Sequence, residues 1–173
     1  METSKVSVLT ADGKIFEMDP SDALEIAFIR GKMENNDETE EIKLEHVDYS
    51  ELEKVVQFLH QLQIKPYKMP IPKPLPSDRL EDFIDVQWYI DFIDMPKKDL
   101  LKLIRAANFL NIERLFELAC AKIGSQIKGM TIEELREFFE IVNDFTNNEE
   151  ETIMIGKANI YQHEQDSTIA PEQ

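Results

Sequence analysis

The chain has 173 residues, of which 42% are hydrophobic, enough for one domain with a core and a small extension. Its 35 acidic residues outnumber 19 basic ones, and the net charge of -16 opposes broad contact with nucleic-acid phosphates or anionic lipid. We therefore expect neither nucleic acid nor a membrane as a partner. The N-terminus lacks the pattern of a signal peptide, and a single cysteine, Cys120, is typical of a reducing compartment. These features predict a protein of the cytoplasm and nucleus.

The first elements of the chain are predicted to be a β-hairpin and a helix. Residues 5–19 contain two β-prone runs around Asp12-Gly13, a dipeptide suited to a tight turn. Asp19 and Pro20 have the pattern of a helix N-terminus. The apolar spacing that follows predicts one helix that continues through Phe28.

An acidic loop is predicted at residues 34–41, where every side chain is polar or charged. Residues 41–47 then alternate apolar and polar side chains, as expected of a third strand. Asp48 and Glu51 have the spacing of a capping box for the next helix. Apolar residues at helical intervals predict that this helix packs on the sheet: Leu52, Val55, Val56, Leu59 and Leu62.

Residues 65–78 contain five of the eight prolines of the chain. Because proline lacks a backbone donor and cannot continue a helix, we predict an extended linker there. Ligands of proline-binding domains have a similar composition, but a plain spacer is the preferred interpretation. After the linker, apolar spacing predicts helices at 79–93, 97–110, 113–127, 131–143 and 147–163.

Two of these helices are predicted to begin at threonines. Thr131 with Glu134, and Thr146 with Glu149, both have the spacing of a capping box. Strands and helices in the N-terminal part, followed by helices to the end, predict an α+β fold class.

The sequence contains no motif for catalysis or cofactor binding. There is no glycine-rich phosphate loop and no dinucleotide fingerprint among the five glycines. His46, His60 and His163 are far apart and belong to no metal-ligand motif, and Cys120 lies in a helical apolar stripe. We therefore predict no enzyme activity, no metal and no cofactor.

Apolar residues without an obvious internal partner are the most informative feature. In the helix at 97–110, Leu100 belongs to an apolar stripe, while Phe109 points about 180° away from it at 100° per residue. Phe109 is therefore a candidate contact, with cover by a second layer as an equal alternative. The C-terminal region adds more apolar side chains than a pair of helices could cover: Leu135, Phe138, Phe139, Ile141, Val142 and Phe145. Either this region folds back onto the body of the protein or it receives the apolar helices of another protein.

Four motifs in this sequence, "ADGKIFEMD", "AANFLNI", "IKGMTIEELREFF" and "NDFTNNEEE", resemble the S-phase kinase-associated adaptor family of SCF ubiquitin ligases. The resemblance runs in order from about residue 5 to residue 163. It implies a BTB/POZ fold at 1–127, in which a small three-stranded sheet packs with helices. It also implies F-box-binding helices at 128–163 and a flexible tail at 164–173.

In function, the resemblance implies a non-enzymatic adaptor that bridges a cullin scaffold to F-box substrate receptors for protein ubiquitination. Asn108 and Phe109 match the asparagine and aromatic residue with which the family contacts a cullin. Seven residues fall in segments that the family uses around the F-box: Ile123, Ile127, Phe138, Ile141, Asn143, Phe145 and Tyr161. Weak self-association is also expected.

The chain departs from the family pattern at several positions, which include Tyr89, Ile132, Glu140, Gly156 and Tyr161. An elongin C-like adaptor remains an alternative for the N-terminal part, although such proteins stop before the helices at 128–163. A self-associating BTB/POZ scaffold without a ubiquitin role is the alternative from a different class.

Overall fold

The computed structural model of the chain describes residues 5–35, 42–142, 144 and 152. The strands in this part are β1 (Val6–Leu9), β2 (Ile15–Met18) and β3 (Ile42–Lys43). The α-helices are α1 (Pro20–Glu25), α2 (Ala27–Asn35), α3 (Tyr49–Ile64), α4 (Gln87–Phe92), α5 (Lys97–Phe109), α6 (Glu113–Ile127) and α7 (Ile132–Phe139). A small sheet packed with helices confirms the α+β class and is consistent with the predicted BTB/POZ fold.

The chain divides into two compact units, Met1–Lys128 and Gly129–Gln173. The first unit holds the sheet and α1 to α6, and the second holds α7. None of the helices in the described ranges is long and apolar enough to cross a bilayer.

The sheet confirms the predicted hairpin and third strand. β1 lies in the centre, with β2 antiparallel on one side and β3 parallel on the other. The hairpin loop has three residues rather than two. The N–H of Thr10 donates to the carbonyl of Lys14 at 2.9 Å, and residues 11–13 form the loop between these two positions. Gly13, at φ 76°, provides the left-handed conformation that such a loop needs.

The predicted capping box at the start of α3 is wrong. The side chain of Asp48 makes no cap hydrogen bond, and it lies 3.6 Å from the ammonium of Lys102 on α5. Glu51 faces the same ammonium at 3.9 Å, so a cation shared by both carboxylates replaces the expected box. A carboxylate from the hairpin acts at this helix start instead, since Asp12 accepts the backbone N–H of Tyr49 at 3.1 Å.

Two helices predicted as continuous are each divided. The first breaks at Ile26, whose backbone is extended (φ -87°, ψ 102°) and whose side chain is fully buried. The helix predicted at 79–93 becomes a 3-10 turn at Leu80–Asp82 and the short helix α4. In both places apolar residues continue through the break, so the hydrophobic spacing alone gives no signal for it.

The core of the first unit is centred on α3, α5 and α6. α3 packs against α5 and α1, and at its first residue it also contacts the sheet, where the ring of Tyr49 lies 4.9 Å from that of Phe16. Tyr89 is fully buried, and its hydroxyl donates to the carbonyl of Lys65 at 2.9 Å. Tyr89, one of the positions at which the chain departs from the family pattern, is therefore a core residue.

Residues 65–78, named here the proline strap, are not the plain spacer predicted from their composition. Tyr67 and Ile71 are 2% and 4% exposed, respectively. The hydroxyl of Tyr67 donates to the carbonyl of Arg114 on α6 at 2.6 Å, and the Arg114 guanidinium donates to the carbonyl of Tyr67 at 2.7 Å. The prolines prevent a helix, but the apolar side chains between them pack on the unit. The burial of Ile71 also disfavours a freely available proline ligand.

α7 begins as predicted and ends early. Thr131 and Glu134 form the reciprocal capping box, with N···O distances of 2.7 and 3.2 Å. The helix ends at Phe139 rather than at residue 143, because Glu140 adopts a left-handed conformation and the N–H of Ile141 donates to the carbonyl of Arg136 at 2.8 Å. Except for Thr152, the helix predicted at 147–163 lies outside the described residues, as do the tail at 164–173 and residues 36–41 of the acidic loop.

Candidate protein-binding surfaces

The C-terminal end of α5 carries the two residues predicted to contact a cullin. Asn108 is exposed and Phe109 is half-buried. The ring of Phe109 lies 4.6 Å from that of Phe28 on α2 and 5.3 Å from that of His46, which follows β3. Leu100, on the opposite side of α5, is fully buried. α5 therefore has one core face and one face that is partly covered by an aromatic cluster.

The sequence left open whether Phe109 is an exposed contact residue or is covered by a second layer. The structure shows a ring that is only partly covered. Phe28 packs against the ring and fixes its orientation, and aromatic pairs of this kind contribute about 0.5–1.5 kcal/mol beyond the area that they bury. The half-exposed ring can still contact a partner. Phe28 and His46 were missed as members of this surface, because the contact is tertiary and no spacing in the sequence relates these positions to Phe109.

The two predicted F-box residues on α6 have different environments. Ile123 is buried, whereas Ile127 is half-exposed. Four half-exposed residues follow one another at intervals of three or four positions and so share a face of the helix. This face is named the α6 stripe, and its members are Phe116, Cys120, Gly124 and Ile127.

α7 presents an apolar face in the second unit. Within Ile132–Phe139 no residue is buried, and the rings of Phe138 and Phe139 meet edge to face at 5.0 Å. Beyond the helix, Ile141 is 58% exposed and Val142 is 82% exposed. Aliphatic side chains this open are suited to contact with another protein. The other predicted F-box residues, Asn143, Phe145 and Tyr161, lie outside the described residues.

The titratable groups of the described residues offer no grouping of His, Cys, Asp and Glu that could hold a metal ion. Burial raises the pKa of the Cys120 thiol, and the ammonium of Lys73 offsets part of this rise. Because a thiol with a raised pKa is mostly protonated near neutral pH, Cys120 is not an activated nucleophile. His60 lies 2.8 Å from the buried carboxylate of Asp22, which it joins as an ordinary polar pair.

Comparison with known proteins assigns the family. Residues 113–158, which include α6 and α7, match the model described as Skp1 family, dimerisation domain. SKP1-like protein 9 of Arabidopsis thaliana is 34% identical over 154 residues, which cover 88% of this chain and 94% of that protein. The S-phase kinase-associated protein 1 homolog of Tetrahymena thermophila is 33% identical over 154 residues, which cover 87% of this chain and 90% of the relative. The chain belongs to the Skp1 family. Membership in the Skp1 family confirms the resemblance predicted from the four motifs and disfavours the elongin C-like alternative.

One of the motifs that carried the resemblance to the Skp1 family has a clear structural role. "AANFLNI" contains the end of α5, where Asn111 has φ 59° and the N–H of Ile112 donates to the carbonyl of Ala107 at 2.8 Å. Asparagine tolerates the left-handed conformation better than most residues and so suits a helix stop. The motif therefore ends α5 and places Asn108 and Phe109 on its last turn.

Proposed function

We propose that this Skp1-family chain is the adaptor subunit of an SCF-type ubiquitin ligase and joins a cullin scaffold to F-box substrate receptors. Membership in the family supports an SCF-type adaptor role in general terms. The observation that carries the bridging role is the presence of partly exposed apolar side chains on both units. In the first unit they belong to the aromatic cluster around Phe109 and to the α6 stripe, and in the second unit they belong to the apolar face of α7.

In this proposal Asn108 and Phe109 contact the cullin. The F-box receptor contacts the helices that follow, through the predicted residues: Ile123, Ile127, Phe138, Ile141, Asn143, Phe145 and Tyr161. Ile123 is buried, so it acts by supporting its neighbours rather than by offering an open side chain. The adaptor requires no catalytic group, and we place it in the cytoplasm and nucleus, where ubiquitination of intracellular substrates occurs.

The test is reconstitution with purified partners. The chain is mixed with the N-terminal fragment of a cullin, with a recombinant F-box domain, and with both, and each mixture is separated by size exclusion with light scattering. We expect each partner to bind alone and all three proteins to form one 1:1:1 complex. A chain that forms a stable homodimer and binds neither partner would support the self-associating scaffold and overturn the adaptor proposal. The family model that matches residues 113–158 names dimerisation, so the chain alone is a necessary sample.

A further inference from the structure

The proline strap and the segment at residues 81–85 border an open cleft of about 350 Å³ in the first unit. The strap supplies one wall with three proline rings, those of Pro70, Pro72 and Pro76. The other wall continues the 3-10 turn toward α4 and includes Phe83, which is half-buried, and Ile84, which is buried. The cleft is therefore an apolar groove lined by flat rings.

Both walls of this cleft are fixed by contacts within the first unit. The backbone N–H of Lys68 donates to Oδ1 of Asp85 at 3.1 Å, which joins the strap to the segment at residues 81–85. The strap is also fitted to α6, because a Cβ atom at Gly124 would lie 2.9 Å from Cδ1 of Leu75 and only a glycine admits that side chain. The ammonium of Lys128 donates to the carbonyl of Leu75 at 3.0 Å. Walls that are ordered in advance lower the entropy cost of binding a ligand.

Carboxylates outnumber cations around the apolar lining. Glu81, Asp82 and Asp85 are exposed, and Lys68 is the one cation among the described residues of the lining. Within the described part of the chain, the carboxylate of Asp82 has no ion-pair partner, and that of Glu81 meets the exposed guanidinium of Arg79 at 3.9 Å. Exposed pairs of this kind contribute little. The groove therefore carries negative charge that the chain itself leaves largely unbalanced.

This combination of flat apolar rings and carboxylates selects among the side chains of a partner. An acidic side chain would be repelled, and an apolar one would take water from the carboxylates without offering them a donor. Lysine offers an apolar stem and a cation. Arginine offers in addition a planar guanidinium, which stacks on rings such as that of Phe83 and can donate to two carboxylates at once. Arginine is therefore the side chain that fits both features of the groove.

We propose that this cleft is a docking site for an arginine side chain of a further protein partner, distinct from the cullin and the F-box receptor. Its lining includes no residue of the aromatic cluster around Phe109, of the α6 stripe or of α7. The proposal therefore does not depend on the adaptor function, and the chain alone is enough to test it. The net charge of -16 attracts a basic partner in general, and the groove determines where its arginine binds.

The first test is an NMR titration of the isotope-labelled chain with two matched probes. One is N-acetyl-arginine N-methylamide, and the other is the citrulline compound, which has nearly the same shape and no charge. We expect the arginine probe to cause saturable shifts at the backbone amides of residues 81–85, with an affinity at least about tenfold above that of the citrulline probe. Equal affinities, or shifts spread over exposed carboxylates of the whole chain without a maximum at residues 81–85, would overturn the proposal.

The second test repeats the titration with Asp82→Asn and with Asp99→Asn as its matched control. Asp82→Asn removes one carboxylate of the groove and keeps the bond between Lys68 and Asp85, so the affinity for the arginine probe should fall about threefold. Asp99 is exposed on α5 and lies outside the lining, so Asp99→Asn makes the same change in net charge and should leave the affinity unchanged. Equal weakening by both variants would show a general attraction to the acidic chain and would overturn the site.

The third test asks whether the groove is separate from the two contacts of the proposed adaptor. The arginine probe is titrated in the presence of a saturating F-box domain and, in a second sample, of the cullin fragment. We expect the same affinity as for the chain alone. Loss of probe binding in either sample would assign the groove to that contact and overturn its assignment to a further partner. Failure of both proteins to bind would overturn the adaptor function and leave the arginine site standing on the first two tests.

Discussion

The carboxylate of Asp12 contacts both ends of the hairpin loop and the start of α3. Its Oδ1 accepts the hydroxyl of Thr10 at 2.6 Å and the backbone N–H of Tyr49 at 3.1 Å, and its Oδ2 lies 2.8 Å from the ammonium of Lys14. The hairpin loop is thereby tied to the start of α3. Lys14 and Thr10, followed by the Tyr49 N–H, hold the pKa of Asp12 well below its usual range.

This arrangement predicts that Asp12 stabilises the fold most above its unfolded pKa, near 3.9. Because the pKa in the folded state is lower, the contribution is present above that value and is lost as the pH falls toward the folded pKa. Asp12→Asn should therefore lower the melting temperature at pH 6, and the difference from the parent should shrink toward pH 2. Thermal melts across this range measure the effect, with Glu53→Gln on the exposed face of α3 as the control. A difference that stays constant with pH would contradict the assignment.

Single residues also show where the sequence could and could not indicate the candidate site. The direction of Phe109 followed from helix periodicity, since a residue nine positions after Leu100 must leave the core face of α5. Its partners Phe28 and His46 could not be found in this way, because they come from different elements and meet Phe109 only in the folded unit. Periodicity gives the direction of a side chain and gives no information about what covers it.

At the scale of elements, local signals predicted the positions of most helices and strands, although the capping box predicted from Asp48 and Glu51 does not form. The hairpin, α3, α5 and α6 lie where spacing and turn residues predicted them, and the capping box of Thr131 forms as expected. The early end of α7 at Glu140 was missed, because a glutamate at a left-handed position is uncommon and carries no sequence signal for a stop.

The proline strap was predicted in its local structure but not in its packing. Its lack of helix follows from the prolines alone. Its attachment depends on pairs distant in sequence, Tyr67 with Arg114 and Leu75 with Gly124. A composition rich in proline is common to spacers and to packed straps, so only the tertiary structure separates them. The same holds for the broken helix at Ile26, where the residue at the break is fully buried and extended.

The capping box predicts how α7 responds to a change at Thr131. Thr131→Ala removes the acceptor of the Glu134 N–H and should cost about 1 kcal/mol of helix stability. Because this corresponds to a factor of about five in a local opening equilibrium, hydrogen exchange of the amides at Glu134 and Leu135 should accelerate about fivefold. Thr131→Ser retains the hydroxyl and should exchange as the parent does. Equal acceleration in both variants would indicate that the hydroxyl does not stabilise α7.

At the scale of the whole molecule, the adaptor proposal requires two contacts that can be lost separately. Apolar and aromatic side chains that remain partly exposed are the groups we expect to anchor each partner. The described residues provide them around Phe109 and along the α6 stripe in the first unit, and on α7 in the second unit. A substitution in one place should therefore leave the other contact intact.

Phe109→Ala is the substitution that tests this separation. If Phe109 anchors the cullin, losing its ring should cost about 2 kcal/mol of binding, or roughly a thirtyfold loss of cullin affinity, while F-box affinity is unchanged. The ring is half-buried, so its truncation should lower the free energy of unfolding by less than the about 3–5 kcal/mol expected for a fully buried phenylalanine. Phe28→Ala is the matched control, since it removes the same aromatic pair and leaves Phe109 in place. It should have a similar effect on stability and a smaller effect on cullin affinity.

Thermal melts and titrations with each partner distinguish this prediction from a structural role. A fully buried phenylalanine would cost about 3–5 kcal/mol of stability on truncation, and partial unfolding would then weaken both partners together. A large fall in melting temperature with parallel losses of both affinities would show that Phe109 belongs to the core. Asn108 is exposed on the same turn of α5, so adding Asn108→Ala to Phe109→Ala should deepen the cullin defect without lowering the melt further. A loss of cullin affinity that is much larger than the fall in stability accounts for, with F-box affinity unchanged, indicates that the cullin contacts Asn108 and Phe109 directly.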